Sequence, residues 1–200
     1  MIFSHLLFIY AFLPLLMILY YCRKNNSWRR GVLLAFSLVF YAWGEPKYVF
    51  LMVFTIALFF FCGLAIERAG EGRKKFWLTV SVVISLSLLG IFKYADFFLE
   101  SINAVTGLGL PLLKLALPVG ISFYTFQCLS YTIDVYRGKA EPQKNPISFG
   151  AYVTLFPQLI AGPIVRYVDV ARELEHRSHT WENFACGIRR FLVGLAKKVI

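Results

Sequence analysis

Tyr124, Gln127, Tyr131 and Asp134 follow one another at spacings of three, four and three residues. On an α-helix, at about 100° per residue, this places two phenols, an amide and a carboxylate on one narrow face. The stretch that carries the first three, Leu115 to Ile133, contains no charged residue, and Asp134 follows it directly. Polar groups are costly in hydrocarbon, so the face is expected to point inward, to protein or water. Two readings are open. The stripe lines a tunnel or site, or it joins helices through hydrogen bonds worth about 0.6 kcal/mol each. Asp134, near one end, is expected to be solvated or paired with Arg137.

A second group lies in Phe156-Pro157-Gln158-Leu159-Ile160-Ala161-Gly162-Pro163. Two prolines six apart with a glycine between them exclude a straight helix. Gln158 is positioned to hydrogen-bond the carbonyls that the break frees, and the segment has either a passage-lining or an architectural role. Arg166 follows closely, with the chemistry to snorkel to lipid phosphates or to meet an anionic donor. Tyr124, Gln127, Tyr131, Asp134, Gln158 and Arg166 form the candidate tunnel-lining set. Lys93 and Asp96, one helical turn apart, are expected to form an ion pair.

Other chemistries find little support. His5 sits near the outer end of the first apolar stretch, and His176 and His179 lie in a polar, basic stretch with no carboxylate-plus-nucleophile arrangement. His176 and His179 have no cysteine or further histidine near enough to complete a metal site. Cys22, Cys62, Cys128 and Cys186 are isolated, with no C-x-x-C pair. No phosphate-cradling glycine loop is present. No metal, no bound cofactor and no catalytic residue is assigned.

The elements that position these residues follow from composition. Of 200 residues, 58% are hydrophobic and 16% charged, with a formal charge of +10. A soluble domain carries about 25% charged residues, and disorder is excluded by the apolar content. Nucleic-acid-binding domains are polar, so the basic charge does not indicate a nucleic-acid partner. A membrane protein with cations in its loops fits both numbers. The reading is all-α: a polytopic transmembrane helical bundle with a re-entrant segment and an amphipathic interfacial helix.

Apolar segments are expected at about residues 2–22, 31–43, 47–66, 76–99 and 112–136. The second is short for a hydrocarbon core of about 30 Å. The first lacks the basic start and small-residue cleavage site of a signal peptide, and reads as a retained span. Residues 146–165 are expected to enter and leave on one side, since irregular backbone is tolerated at membrane depth when protein shields it. Residues 181–200 carry Trp181, Phe184, Ile188, Phe191, Leu192, Leu195 and Val199 at helical spacing, with Thr180 as N-cap. This is the interfacial helix, lying along membrane lipid. The pattern continues to Ile200 without a cap, as expected of a fragment.

Three loops hold most of the cations: Arg23, Lys24, Arg29 and Arg30; Arg68, Arg73, Lys74 and Lys75; Arg137, Lys139 and Lys144. The alternate connections hold only Lys47, Lys93 and Lys114. Lys and Arg concentrate in cytoplasmic loops, which puts the N-terminus outside.

Five motifs in order then carry a resemblance. They are Phe40-Tyr41-Ala42-Trp43-Gly44-Glu45-Pro46-Lys47-Tyr48, Phe92-Lys93-Tyr94-Ala95-Asp96-Phe97-Phe98, the run Leu117 to Gly138, the run Phe156 to Tyr167, and Gly194-Leu195-Ala196-Lys197-Lys198. The chain resembles the membrane-bound O-acyltransferase family in its alginate O-acetyltransferase branch. The resemblance implies a multi-pass protein of the bacterial inner membrane, built as a helical ring around a thin centre. It implies acyl transfer from a cytoplasmic thioester donor, such as acetyl-CoA or an acyl carrier protein, as substrate. The acetyl group would reach periplasmic acetyltransferase partner proteins that modify an exported polysaccharide such as alginate. The family's catalytic histidine lies in a Trp-His-Gly type motif that is absent here. This chain therefore looks like the family's N-terminal half and is expected to be inactive alone. A transporter or channel-like subunit is the alternative, since broken helices also line substrate paths.

Overall fold

The computed structural model describes residues 6–159, 165–175 and 180–199. Gly162, Pro163, His5, His176 and His179, singled out from the sequence, lie outside the described residues. A π-helical turn, Phe8–Phe12, leads into α1, Leu13–Cys22. Helices α2, Asn26–Gly44, and α3, Tyr48–Arg68, follow. Helix α4, Glu71–Leu89, passes through a π-helical turn, Gly90–Tyr94, into α5, Ala95–Thr106. Then come α6, Ile121–Tyr136, α7, Pro146–Thr154, and the short α8, Phe156–Leu159. Helices α9, Tyr167–Glu175, and α10, Trp181–Val199, complete the described chain, which contains no strand among those residues.

Several expected boundaries move, each for a physical reason. The segment expected at 31–43 begins at Asn26, because the Asn25 side chain accepts the Ser27 N–H at 2.9 Å and caps the helix. Its 19 residues reach about 28 Å at a rise of about 1.5 Å each, although the added first turn, Asn26 to Arg30, is largely polar and the apolar part still runs from Gly31 to Trp43. The segment expected at 76–99 belongs to a 35-residue helical run, Gly72–Thr106. Its Lys93–Asp96 ion pair is not formed. The π-turn inserts an extra residue and rotates one side chain away from the other. Lys93 Nζ lies 5.3 Å from the centroid of the Tyr94 ring, and Asp96 Oδ1 accepts the Leu113 N–H at 2.7 Å. The segment expected at 112–136 is helical only from Ile121. Pro118 disfavours helix at Leu117, and Gly120 takes a left-handed conformation with φ of 76°. In 146–165 the helix stops at Thr154, before Leu155. Pro157 has no N–H to offer the Val153 carbonyl, and its ring would clash there.

Helix α10 matches its expected span and cap. Thr180 Oγ1 accepts the Asn183 N–H at 3.2 Å. Its Phe184 ring meets Tyr21 of α1 with centroids 5.7 Å apart, and Phe191 packs against the cluster of Phe8, Phe12 and Phe40.

The direction of each helix can be read from its contacts. Tyr48, at the start of α3, donates to the Ala116 carbonyl just before α6 at 2.8 Å. Further along, a Cβ on Gly63 of α3 would stand 2.7 Å from the Tyr131 ring of α6. Helices α3 and α6 therefore run parallel, with their last turns at one end. At that same end Arg30 of α2 donates to Ser148 Oγ of α7 at 2.8 Å. The three basic connections thus share one end of the bundle.

Two helical runs, Tyr48–Arg68 and Gly72–Thr106, are long and apolar enough to cross a membrane. Phe50, Phe54 and Phe61 of α3 are exposed on the outer surface. An apolar outer face on a helix of that length fits hydrocarbon as its solvent.

Candidate functional site

All four residues of the α6 stripe, Tyr124, Gln127, Tyr131 and Asp134, are buried. Gln127, Tyr131 and Asp134 face α7, the turn before it and the chain around Arg166, while Tyr124 packs in the core cluster with Tyr41. The placement of the stripe begins at Gly120, where a Cβ would stand 2.8 Å from the Leu159 carbonyl oxygen. Glycine alone combines that close approach with the positive φ. The start of α6 is thereby held against the end of α8.

Below this contact, Gln127 Nε2 donates to the Tyr152 carbonyl at 3.1 Å. Tyr131 Oη accepts the Gln143 N–H at 3.0 Å. The Tyr131 ring lies 4.6 Å from that of Phe149 and 5.1 Å from that of Tyr167. Gln143 extends the network: its Nε2 donates to Tyr167 Oη at 3.1 Å and its Oε1 accepts the Asn145 N–H at 3.0 Å. Asn145 in turn caps α7 by accepting from Ile147 N at 2.9 Å. Tyr152 Oη donates to the Val165 carbonyl at 2.8 Å.

Asp134 closes the stripe and corrects the sequence expectation. It is neither solvated nor paired with Arg137. The Arg166 guanidinium holds it in a two-pronged ion pair, with Nε 3.2 Å from Oδ2 and the second nitrogen on Oδ1. The carboxylate raises the Arg166 pKa, first through the hydrogen bond and then through its charge. Arg166 is therefore engaged by protein, with half of its side chain still exposed.

These contacts describe a path. The chain leaves the basic end at Pro146, reaches the start of α6 at Leu159, and is again beside Asp134 at Arg166. The hydrogen bonds of the stripe all fall on this segment and on the turn before it.

Gln158 sits apart from the network. Its Oε1 is buried without a partner, and its backbone N–H donates to the Leu155 carbonyl at 2.9 Å. The expected bonds from its side chain to freed carbonyls are not formed among the described residues. Tyr124 Oη is also buried without a partner, as are Tyr41 Oη and Thr125 Oγ1. Tyr41 and Tyr124 belong to the same core cluster. These hydroxyls keep donor capacity for a carbonyl or ester oxygen. Tyr41 and Thr125 were not among the candidate residues read from the sequence, although both lie in runs that carry the family resemblance. Among the described residues no group of three metal-ligating side chains stands together.

The comparisons with known proteins bear on this arrangement. The chain is 42% identical over 205 residues to a probable alginate O-acetylase AlgI of Pseudomonas syringae pv. tomato, covering all of this chain and 39% of that protein. A probable alginate O-acetylase AlgI of Azotobacter vinelandii is also 42% identical over 205 residues, with all of this chain and 41% of that protein covered. The resemblance to the alginate O-acetylase branch holds along the whole chain. A peptidoglycan O-acetyltransferase of Helicobacter pylori is 32% identical over 232 residues, covering all of this chain and 44% of that protein. The chain thus spans about two fifths of the length of the alginate O-acetylases it matches. No family model matches it, and no solved structure does.

Proposed function

We propose that this chain is part of an integral membrane O-acyltransferase. It moves an acetyl or acyl group from a cytoplasmic thioester donor, acetyl-CoA or an acyl carrier protein, across the bacterial inner membrane. The acceptor system is an exported polysaccharide such as alginate, reached through periplasmic acetyltransferase partners. The observation that carries this reading is whole-chain similarity to proteins named for O-acetylation of two different polymers, alginate and peptidoglycan.

The geometry supports it in three ways. The basic connections share one end, which suits a cytoplasmic face that attracts an anionic donor. The segment from Pro146 to Arg166 begins and ends near that face, as a re-entrant element would. The α6 stripe holds this element in place, while the unpartnered hydroxyls of Tyr41, Tyr124 and Thr125 lie deeper in the core, where a polar acyl group could be received. In this reading the N-terminus is outside and α10 lies along the cytoplasmic interface.

The test is acetylation in cells that export alginate without ester groups because their own O-acetylase gene is deleted. The complete gene of which this chain is a part should restore alkali-labile acetate on the exported polymer, and the 200-residue chain alone should not. Membrane insertion of the complete protein without any released acetate would overturn the reading.

A further inference from the structure

The turn joining α1 to α2 and the first helical turns after it carry Arg23, Lys24, Arg29 and Arg30, and their surroundings differ. Arg23 lies over the Trp28 ring, 4.9 Å from its centroid. Arg30 donates to Ser148 Oγ at 2.8 Å and to Ser27 Oγ at 3.3 Å. Arg29 is only 9% exposed. Its Nε is enclosed without any hydrogen-bond partner, and it forms no ion pair among the described residues. Its guanidinium carbon stands 5.4 Å from the Tyr20 ring centroid and 5.9 Å from that of Tyr21. Aromatic faces attract a cation, but they accept no guanidinium N–H in plane. A buried guanidinium without an anion is costly, so an anionic partner from outside the chain is called for.

The space beside it shows what kind of molecule brings that anion. A slot of about 550 Å³ lies between α1 and α10, within the range of about 300–1,000 Å³ usual for small-molecule sites. Met17, Ile18 and Tyr21 line it from α1, and Trp181 and Phe184 from α10. Among the described residues, Lys24 and Arg29 are the charged residues that line it. A second hollow of about 360 Å³ shares Met17, Tyr21 and Phe184 and continues along α10 to Ile188 and Phe191. The site therefore has a cationic end and a long apolar remainder. An inorganic anion would leave the apolar walls uncovered. A neutral hydrocarbon would leave Arg29 uncompensated. An amphiphile with an anionic head satisfies both.

We infer that this slot binds an anionic phospholipid, with its phosphate on Arg29 and Lys24 and an acyl chain along Met17, Ile18 and Phe184. Guanidinium and phosphate form short, charge-assisted hydrogen bonds, and a fork of donors fixes the headgroup. The acyl chain fills the seam between α1 and α10, so the lipid fastens the amphipathic helix to the bundle. The inference rests on the helices lying in lipid and does not depend on acyl transfer.

The experiment uses the full chain in nanodiscs of equal phosphatidylglycerol and phosphatidylcholine, released into the gas phase for native mass spectrometry. The chain should retain one phosphatidylglycerol in preference to phosphatidylcholine. Arg29→Gln should lower that retention about tenfold, the change that loss of one charge-assisted hydrogen bond produces. Ile18→Trp fills the slot while keeping both cations, and should lower it as well; it decides the matter if Arg29→Gln does not fold. Arg68→Gln, on another basic connection, should leave it unchanged. Retention at the wild-type level by both Arg29→Gln and Ile18→Trp would overturn the site. So would equal retention of the two lipids, or displacement of the lipid by millimolar inorganic phosphate.

Discussion

Asp134 and Arg166 meet with unequal burial: the carboxylate side chain is 2% exposed and the guanidinium side chain 50%. That asymmetry orders the effects of removing either one. Arg166→Ala leaves a charged carboxylate inside the protein without its counter-charge, the costly case. Asp134→Asn leaves a neutral amide inside and an arginine that reaches water, the milder case. In detergent, Arg166→Ala should lower the unfolding temperature more than Asp134→Asn, and the double variant should recover part of the loss. The reverse order, measured by heat-induced aggregation, would show that the pair does not hold the segment. The sequence shows why the partner was missed. Arg137 is one helical turn from Asp134, whereas Arg166 is 32 residues away, and spacing along a helix reports only local neighbours. The inward direction of Tyr124, Gln127 and Tyr131 was legible, because hydrocarbon penalises the alternative. Their acceptors on Tyr152 and Gln143 were not, since they depend on where a second element docks.

Helix crossings carry the next prediction. At Gly63 the α3 backbone approaches Tyr131 so closely that a Cβ would stand 2.7 Å from both the ring and its hydroxyl. Tyr131 cannot swing aside, because Phe149 and Tyr167 flank its ring and Gln143 fixes its oxygen. Gly63→Ala should destabilise the bundle by about 1–3 kcal/mol, the usual cost of overpacking. Gly72→Ala in α4 meets nothing within 4 Å and should be neutral or slightly stabilising by helix propensity. Equal unfolding temperatures for the two variants would contradict the crossing. At this scale the sequence was informative where one strong signal acts alone. The capped start of α10 is such a case. It misled where two signals compete. Asn25 extends α2 through residues that read as a basic loop, and Gly120 ends an apolar run that reads as continuous span. The short α9 has no long apolar run and escaped notice, although its Tyr167 is part of the core.

For the whole molecule, the decisive question is which side each connection faces. Arg23 to Arg30, Arg68 to Lys75 and Arg137 to Lys144 share one end of the bundle, and in the proposed reading the positive-inside rule makes that end the cytoplasmic one. Reporter fusions after Asn26, Gly72 and Glu141 should therefore report cytoplasm, and one after Gly107 should report periplasm. The segment between α6 and α9 is tested by a pair of fusions. If Pro146 to Arg166 enters and returns, Glu141 and Asn183 lie on the same side. If the segment crosses, they lie on opposite sides, and α10 would face the periplasm with Arg189, Arg190 and Lys197 on it. Three contacts argue for return: Arg30 with Ser148, Gly120 with Leu159, and Arg166 with Asp134. They place the ends of the segment near one level and its middle near the other. A periplasmic signal at Asn183 beside a cytoplasmic one at Glu141 would exclude that arrangement. Cytoplasmic signals at both would leave α9 and α10 on the same face as the basic connections.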